Sequence, residues 1–198
     1  MKSNMKKAEK SVREMLEALG IDSTKEELKE TPRRIADLYR DMSEGLDIDI
    51  RQFFKRILPT EHNELVIVKD IEFVSTCEHH FWPFFGVVHI AYIPQHRIVG
   101  LSKFISAVRA VSRKPQIQER MTSELANAID ECLQPKGCMV VTEAIHTCML
   151  VGGRYDYGFP AHTKARTVTS AVRGVFLLFS APREEALKLI YGGDSHAI

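Results

Sequence analysis

Apolar positions recur at helical spacing from the start of the chain. Met5, Ala8, Val12, Met15, Leu16 and Leu19, with Gly20 behind them as a stop, predict a helix over residues 5–19. A second helical stretch starts near Thr24 and runs through Leu28, Ile35, Leu38 and Tyr39 to Gly45, divided at Thr31-Pro32 with Pro32 at a first helical position. Residues 1–60 therefore read as a polar helical arm, and residues 61–198 as the folded domain. The period changes at Glu64. Leu65 to Val68, Ile71 and Phe73 predict one strand, and the run from Phe84 to Ile93 predicts another. Helical spacing returns over residues 102–113 and 116–133, where Ile117, Met121, Leu125 and Ile129 fall four apart on one face. Two more strands are expected over residues 138–151 and 167–179, joined by a loop over 152–164, and a short helix over 183–191 closes the chain.

The core order is thus strand, strand, helix, helix, strand, strand. That pattern is α+β: a four-stranded antiparallel sheet with helices on one face, behind a helical arm. Such a sheet leaves two open edges, and joining the sheets of several subunits into a barrel is one way to close them.

Composition narrows the functional classes. A chain of 198 residues with 44% hydrophobic and 27% charged positions is ordinary for a soluble domain with a large core. A net charge of +1 supplies no field for nucleic acid or a membrane surface, so an anionic partner has to be met by a local cluster. Residues 1–10 are polar and lysine-rich, and no stretch reaches the roughly 20 apolar residues of a membrane span. The expectation is a cytoplasmic protein. Four cysteines in a chain of this size do not suggest a disulfide framework; in a reducing compartment each is a buried thiol, a metal ligand or a nucleophile.

Spacing to histidine separates those roles. Cys77-Glu78-His79-His80 follows a strand, with Ser75-Thr76 read as a turn, and Cys-x-x-His sets a thiolate and an imidazole one turn apart. Far along the chain His146-Thr147-Cys148 falls inside a predicted strand, where residues two apart share a face. Cys77, His80 and Cys148 then make a three-ligand set with His146 beside it. Sulfur and imidazole donors favour zinc, and three protein ligands leave a position open, as catalytic sites do. Taken alone, Cys148 would be a small buried hydrophobe; the density of cysteine and histidine in two short segments raises the metal reading. Cys132 and Cys138 have no nearby histidine and read as core thiols. His146 and His79 are positioned to move protons beside the ion. Residue types alone lead to metal-assisted hydrolysis.

The motifs Ser75-Thr-Cys-Glu-His-His-Phe81, Pro83-Phe-Phe-Gly86, Ala91-Tyr-Ile-Pro94, Gly100-Leu-Ser-Lys103, Gln116-Ile-Gln-Glu-Arg120, His146-Thr-Cys-Met149 and Thr167-Val-Thr-Ser170 resemble those of the GTP cyclohydrolase I family, and Glu30 to Ala36 resembles its arm. The resemblance runs in order from about residue 30 to 180. It implies a tunnelling fold in a ring-shaped homodecamer with sites between subunits. The implied reaction takes GTP to 7,8-dihydroneopterin triphosphate and formate, for a pterin, folate or deazapurine pathway. Carried over by position, Cys77, His80 and Cys148 correspond to the zinc ligands, His146 to the proton-transfer histidine and His79 to a ribose contact. Glu119 corresponds to the carboxylate that accepts from guanine N1–H and the 2-amino group, with Gln118 its neighbour near the sugar. Leu101, Ser102 and Lys103 correspond to the ribose and phosphate end, and Arg34 to a basic residue of the arm.

Two positions depart from the family pattern: Ser106 and Gly152 stand where it carries triphosphate-binding arginines. Arg109, one turn beyond Ser106, and Arg154, two past Gly152, are the nearest substitutes. The departure leaves open a related cyclohydrolase acting on a different or less phosphorylated purine nucleotide. A third possibility, from another class, is a non-catalytic ring that keeps zinc for structure; Glu119 and His146 argue against it, since structural zinc needs neither.

Overall fold

The computed structural model describes residues 4–151 and 165–192. Helix α1 (Met5–Ala18) opens the chain, capped by the Asn4 side chain, which accepts from the Lys7 backbone N–H at 3.0 Å. Residues 23–30 form turns rather than the first half of a divided helix, and α2 (Thr31–Asp41) starts at the Thr-Pro pair. Proline costs nothing in a first turn, where its missing N–H has no partner to lose. A 3₁₀ turn (Ile50–Phe54) follows and packs against the main core. Phe54 is completely buried, its ring 5.5 Å from that of Phe104, and Ile50 joins the same cluster.

The remaining elements are β1 (Leu58–Pro59), β2 (Val66–Cys77), β3 (Pro83–Ile93), β4 (Arg97–Ile98), α3 (Ser102–Ser112), β5 (Pro115–Gln116), α4 (Gln118–Leu133), β6 (Gly137–His146), α5 (Thr147–Val151), β7 (Thr167–Gly174), α6 (Val175–Leu178) and α7 (Ser180–Tyr191). The main sheet has the order β5-β2-β3-β6-β7, five strands rather than four. It is mixed, because β5 pairs parallel with β2, Cys77 opposite Gln116. Only two residues long, β5 shows no periodicity that a sequence reading can catch.

Alternation along the strands divides the sheet faces. Val88, Ile90, Cys138, Val140 and Ala144 pack beneath α3 and α4 with Phe104, Val108, Met121, Leu125 and Ile129. Ala91, Met139 and Val141 point the other way, into a smaller cluster with Phe176 of α6 and Ala186 of α7. Helices therefore cover parts of both faces, which corrects the expectation of one covered face. Each of these large apolar side chains contributes about 1.5–3 kcal/mol when fully buried.

Two predicted strands end early. The strand expected through Val151 stops at His146 and turns into α5, and the one expected through Phe179 stops at Gly174. Gly174 has φ +59°, and a Cβ there would lie 2.2 Å from the Lys136 carbonyl oxygen, so only glycine makes that corner. Among the described residues, no helix is long and apolar enough to cross a membrane.

Candidate active site

Strand direction gathers the chemistry at one end of the sheet. β2 runs toward Cys77, and antiparallel pairing brings Thr76 opposite Pro83 and Phe84 opposite His146, so β2 and β6 both finish beside the start of β3. The β5 pairing then carries the beginning of α4, with Gln118 and Glu119, alongside Cys77. A cleft of about 250 Å³ opens there, lined by Cys77, His79, His80, Gln118, Glu119, His146 and Cys148, with Met149 and Thr167 also on its wall.

Ser75 and Thr76 are strand residues, not the expected turn; the chain turns over residues 78–80 instead. The Cys77 N–H donates to the Trp82 carbonyl at 2.7 Å and the Phe81 N–H to the Cys77 carbonyl at 2.8 Å, closing the loop that presents His79 and His80. Phe81 has φ 58°, a left-handed conformation that a bulky residue adopts only when its surroundings insist. Here Tyr39 of α2 insists: its ring stacks on Phe81 at 5.1 Å, and its hydroxyl donates to the Phe81 carbonyl at 2.9 Å.

The ligand atoms of Cys77, His146 and Cys148 all lie within 4.8 Å of one another. His80 sits with Nδ1 4.0 Å from the Cys77 sulfur, outside that trio. Cys148 reaches the cluster from a helical turn and not from the strand face first expected. Around tetrahedral zinc, with Zn–S near 2.3 Å and Zn–N near 2.0 Å, ligand atoms stand about 3.3–3.8 Å apart, so small side-chain adjustments bring the two sulfurs and either His80 or His146 onto one ion. Its chemistry fits zinc as well: burial, then the neighbouring Cys77 sulfur, raise the Cys148 thiol above its ordinary value, a conflict between two sulfurs that a cation removes. The other two cysteines lie elsewhere. Cys138 is fully enclosed and its thiol is pushed up to about 12 by burial, and Cys132 is also raised by burial. All four cysteines are free thiols.

His146 is held on two sides. Its ring lies flat on Phe84, centroids 4.5 Å apart and planes 4° from parallel, and its Nε2 is 2.8 Å from Gln118 Oε1. Burial lowers its pKa, opposed by the nearby Glu119 charge. That shift favours the neutral imidazole, the form able to accept a proton. Gln118, the first residue of α4, is only 2% exposed, whereas Glu119 beside it is exposed at the cleft, where a negative side chain suits the first helical turn.

Other expected site residues lie apart from this cleft. Leu101, Ser102 and Lys103 form the start of α3, Ser106 bonds back to the Ser102 carbonyl at 3.0 Å, and Arg34 is exposed on α2. Arg109 lines a different cleft of about 540 Å³ with Val74, Phe85, Ile105 and Arg113. Gly152, Arg154 and the loop of residues 152–164 lie outside the described residues. Sequence reasoning missed Phe84, Tyr39 and the threonines around Gln118. Only Thr122 carried a signal, four residues after Gln118 and hence on the same side of α4.

A family profile described as GTP cyclohydrolase I matches residues 8–191. The chain is similar to GTP cyclohydrolase 1 of Geobacillus kaustophilus (strain HTA426), 48% identical over 188 residues that cover 94% of this chain and 97% of that protein. It is equally similar to GTP cyclohydrolase 1 of Bacillus subtilis (strain 168), 48% identical over 192 residues, 96% of this chain and 98% of the relative. Among solved structures, an archaeosine synthase QueF-Like in the apo form aligns with 56% of this chain and 93% of its own at 15% identity and a TM-score of 0.45, a likeness too slight to bear on function.

Proposed function

The chain belongs to the GTP cyclohydrolase I family, and on that footing we propose that it converts GTP and one water into 7,8-dihydroneopterin triphosphate and formate, opening the purine at C8. The observation that carries the reading is the convergence of two thiols, three histidines and Glu119 in one cleft. In this reading Cys77, His80 and Cys148 hold zinc, His80 Nδ1 standing 4.0 Å from the Cys77 sulfur, and the bond to Gln118 keeps His146 for proton transfer. Zinc bound there supplies a Lewis acid and brings the pKa of a water to near neutral.

The rest belongs to the chain's own side chains. Neutral His146 takes up a proton beside C8 and returns it as the ring opens. Glu119 accepts from guanine N1–H and the 2-amino group, two donors that a carboxylate's two oxygens match. His79, on the exposed turn, meets the ribose.

Leu101, Ser102, Lys103 and Arg109 take part through association: a second copy brings its α3 to the open side of the cleft, in a ring-shaped homodecamer built on the tunnelling fold. Exposed apolar side chains along this route, Leu101 at 57%, Ile105 at 52% and Val74 at 48%, support that reading, since a monomer gains nothing from leaving them in water. Arg34 and Arg154 complete the cation set for the phosphates.

The test is GTP turnover by the purified protein, with zinc quantified in the same sample and dihydroneopterin triphosphate read by fluorescence after oxidation. GTP is expected to outrun guanosine, GMP and GDP, and Cys148→Ser to lose both metal and turnover. Zinc-loaded protein that releases no formate from millimolar GTP would refute the proposal.

A further inference from the structure

Behind His146 lies a closed polar network in an otherwise apolar layer. The two hydrogens of Gln118 Nε2 serve the carbonyls of Thr142 and Thr167, each at 2.9 Å, with Thr169 Oγ1 at 3.2 Å a third acceptor sharing them. Thr169 Oγ1 is 2.8 Å from Thr122 Oγ1, and Thr142 Oγ1 stands 2.9 Å from the same oxygen. Thr122 Oγ1 donates to the Gln118 backbone carbonyl at 2.8 Å. The fold makes this possible because Thr142 and Thr169 are cross-strand partners on β6 and β7, beneath the first turns of α4.

Counting hydrogens fixes the directions. Thr122 has one hydroxyl hydrogen, directed to the Gln118 carbonyl or to Thr142 Oγ1, so the Thr169 hydroxyl donates to Thr122 and its oxygen shares an amide hydrogen of Gln118. A flipped amide would set Oε1 against two carbonyl oxygens, with water excluded from a residue that is 2% exposed. Oε1 therefore faces His146, and the hydrogen between them, over 2.8 Å, is the imidazole's own. Thr122 and Thr142 are buried, and valine would fill the space of either without placing a hydroxyl in the interior.

We propose that Thr122 and Thr169 are positioning residues: Thr122 ties down the Gln118 backbone, Thr169 shares the amide hydrogens, and together they steady the amide against the Thr142 and Thr167 carbonyls, holding His146 in the tautomer with hydrogen on Nε2 and the lone pair on Nδ1. The kinetic consequence rests on the proton-transfer role given to His146 above; the tautomer itself does not. A correctly positioned acid/base group is worth about 10²–10⁴-fold in rate, and mixing its tautomers forfeits part of that.

The experiment uses the full chain, zinc-loaded and labelled with ¹⁵N-histidine, in solid-state NMR, with His146→Asn identifying the signals. Wild type is expected to show His146 protonated on Nε2. Thr169→Val and Thr122→Val are expected to mix the tautomers and lower kcat about tenfold with KM and zinc content held. Thr169→Ser, which returns the hydroxyl, is expected to restore both readouts. A wild-type hydrogen on Nδ1, or valine variants with unchanged tautomer and kcat, would overturn the proposal. Wild type with the expected tautomer and no GTP turnover would instead fault the functional reading alone.

Discussion

Phe84→Leu separates the two jobs of one side chain. The phenyl ring is fully enclosed, stacks on His146 at 4.5 Å and 4°, and meets Phe73 edge-on at 5.7 Å and 77°. Leucine keeps most of the apolar volume and loses both ring contacts. At about 0.5–1.5 kcal/mol for each aromatic contact, the expected cost is about 1–3 kcal/mol. For a chain of this length that is a Tm lower by about 2–12 °C. A total stability of about 5–15 kcal/mol leaves the variant folded. Thermal unfolding should be followed at one protomer concentration, because association contributes to Tm.

The control is Phe73→Leu, which gives up only the Phe73–Phe84 contact, about 0.5–1.5 kcal/mol, and leaves the imidazole supported. Steady-state kinetics should then show kcat lowered in Phe84→Leu and unchanged in Phe73→Leu, with KM similar in both. Equal effects on kcat, or a Phe84→Leu stability within about 0.5 kcal/mol of wild type, would refute the claim that the stack both stabilises the core and orients His146.

Two further expectations follow from contacts away from the proposed ligands. Tyr39→Phe keeps the stack on Phe81 but removes the 2.9 Å hydrogen bond; at about 0.5–1.5 kcal/mol, zinc affinity measured against a competing chelator should weaken about 2–10-fold, and Tyr39→Ala should lose more. Equal zinc affinity in all three proteins would mean that α2 does not brace the loop. His89 is buried under α7, its Nδ1 accepting from the Asp70 N–H at 3.1 Å and its Nε2 3.6 Å from Glu143; burial lowers its pKa despite the charges of Asp70 and Glu143. The unfolded chain then binds the proton more readily, so this residue's contribution is full above about pH 6.5 and falls as pH drops toward the folded value. Urea unfolding from pH 7.5 to 5 should show a shallower acid loss in His89→Gln, and an unchanged slope would count against that assignment.

Much of this architecture is legible in the chain itself. Helical spacing around Met121, Leu125 and Ile129, and alternation along β3, fix element type because burial selects period before any partner is known. Cys77, His80, His146 and Cys148 stand out because sulfur and imidazole cluster in two short segments. Other features depended on how distant segments met. A two-residue strand has no period, so only pairing with β2 reveals β5 and brings α4 beside Cys77. Likewise, a glutamine opening a helix looks solvent-facing in sequence; the meeting of β6 and β7 under α4 buries Gln118 and turns its amide toward His146. Local spacing determines which face of an element is apolar, whereas the partner of a polar group is decided by long-range register, and that register belongs to the folded chain.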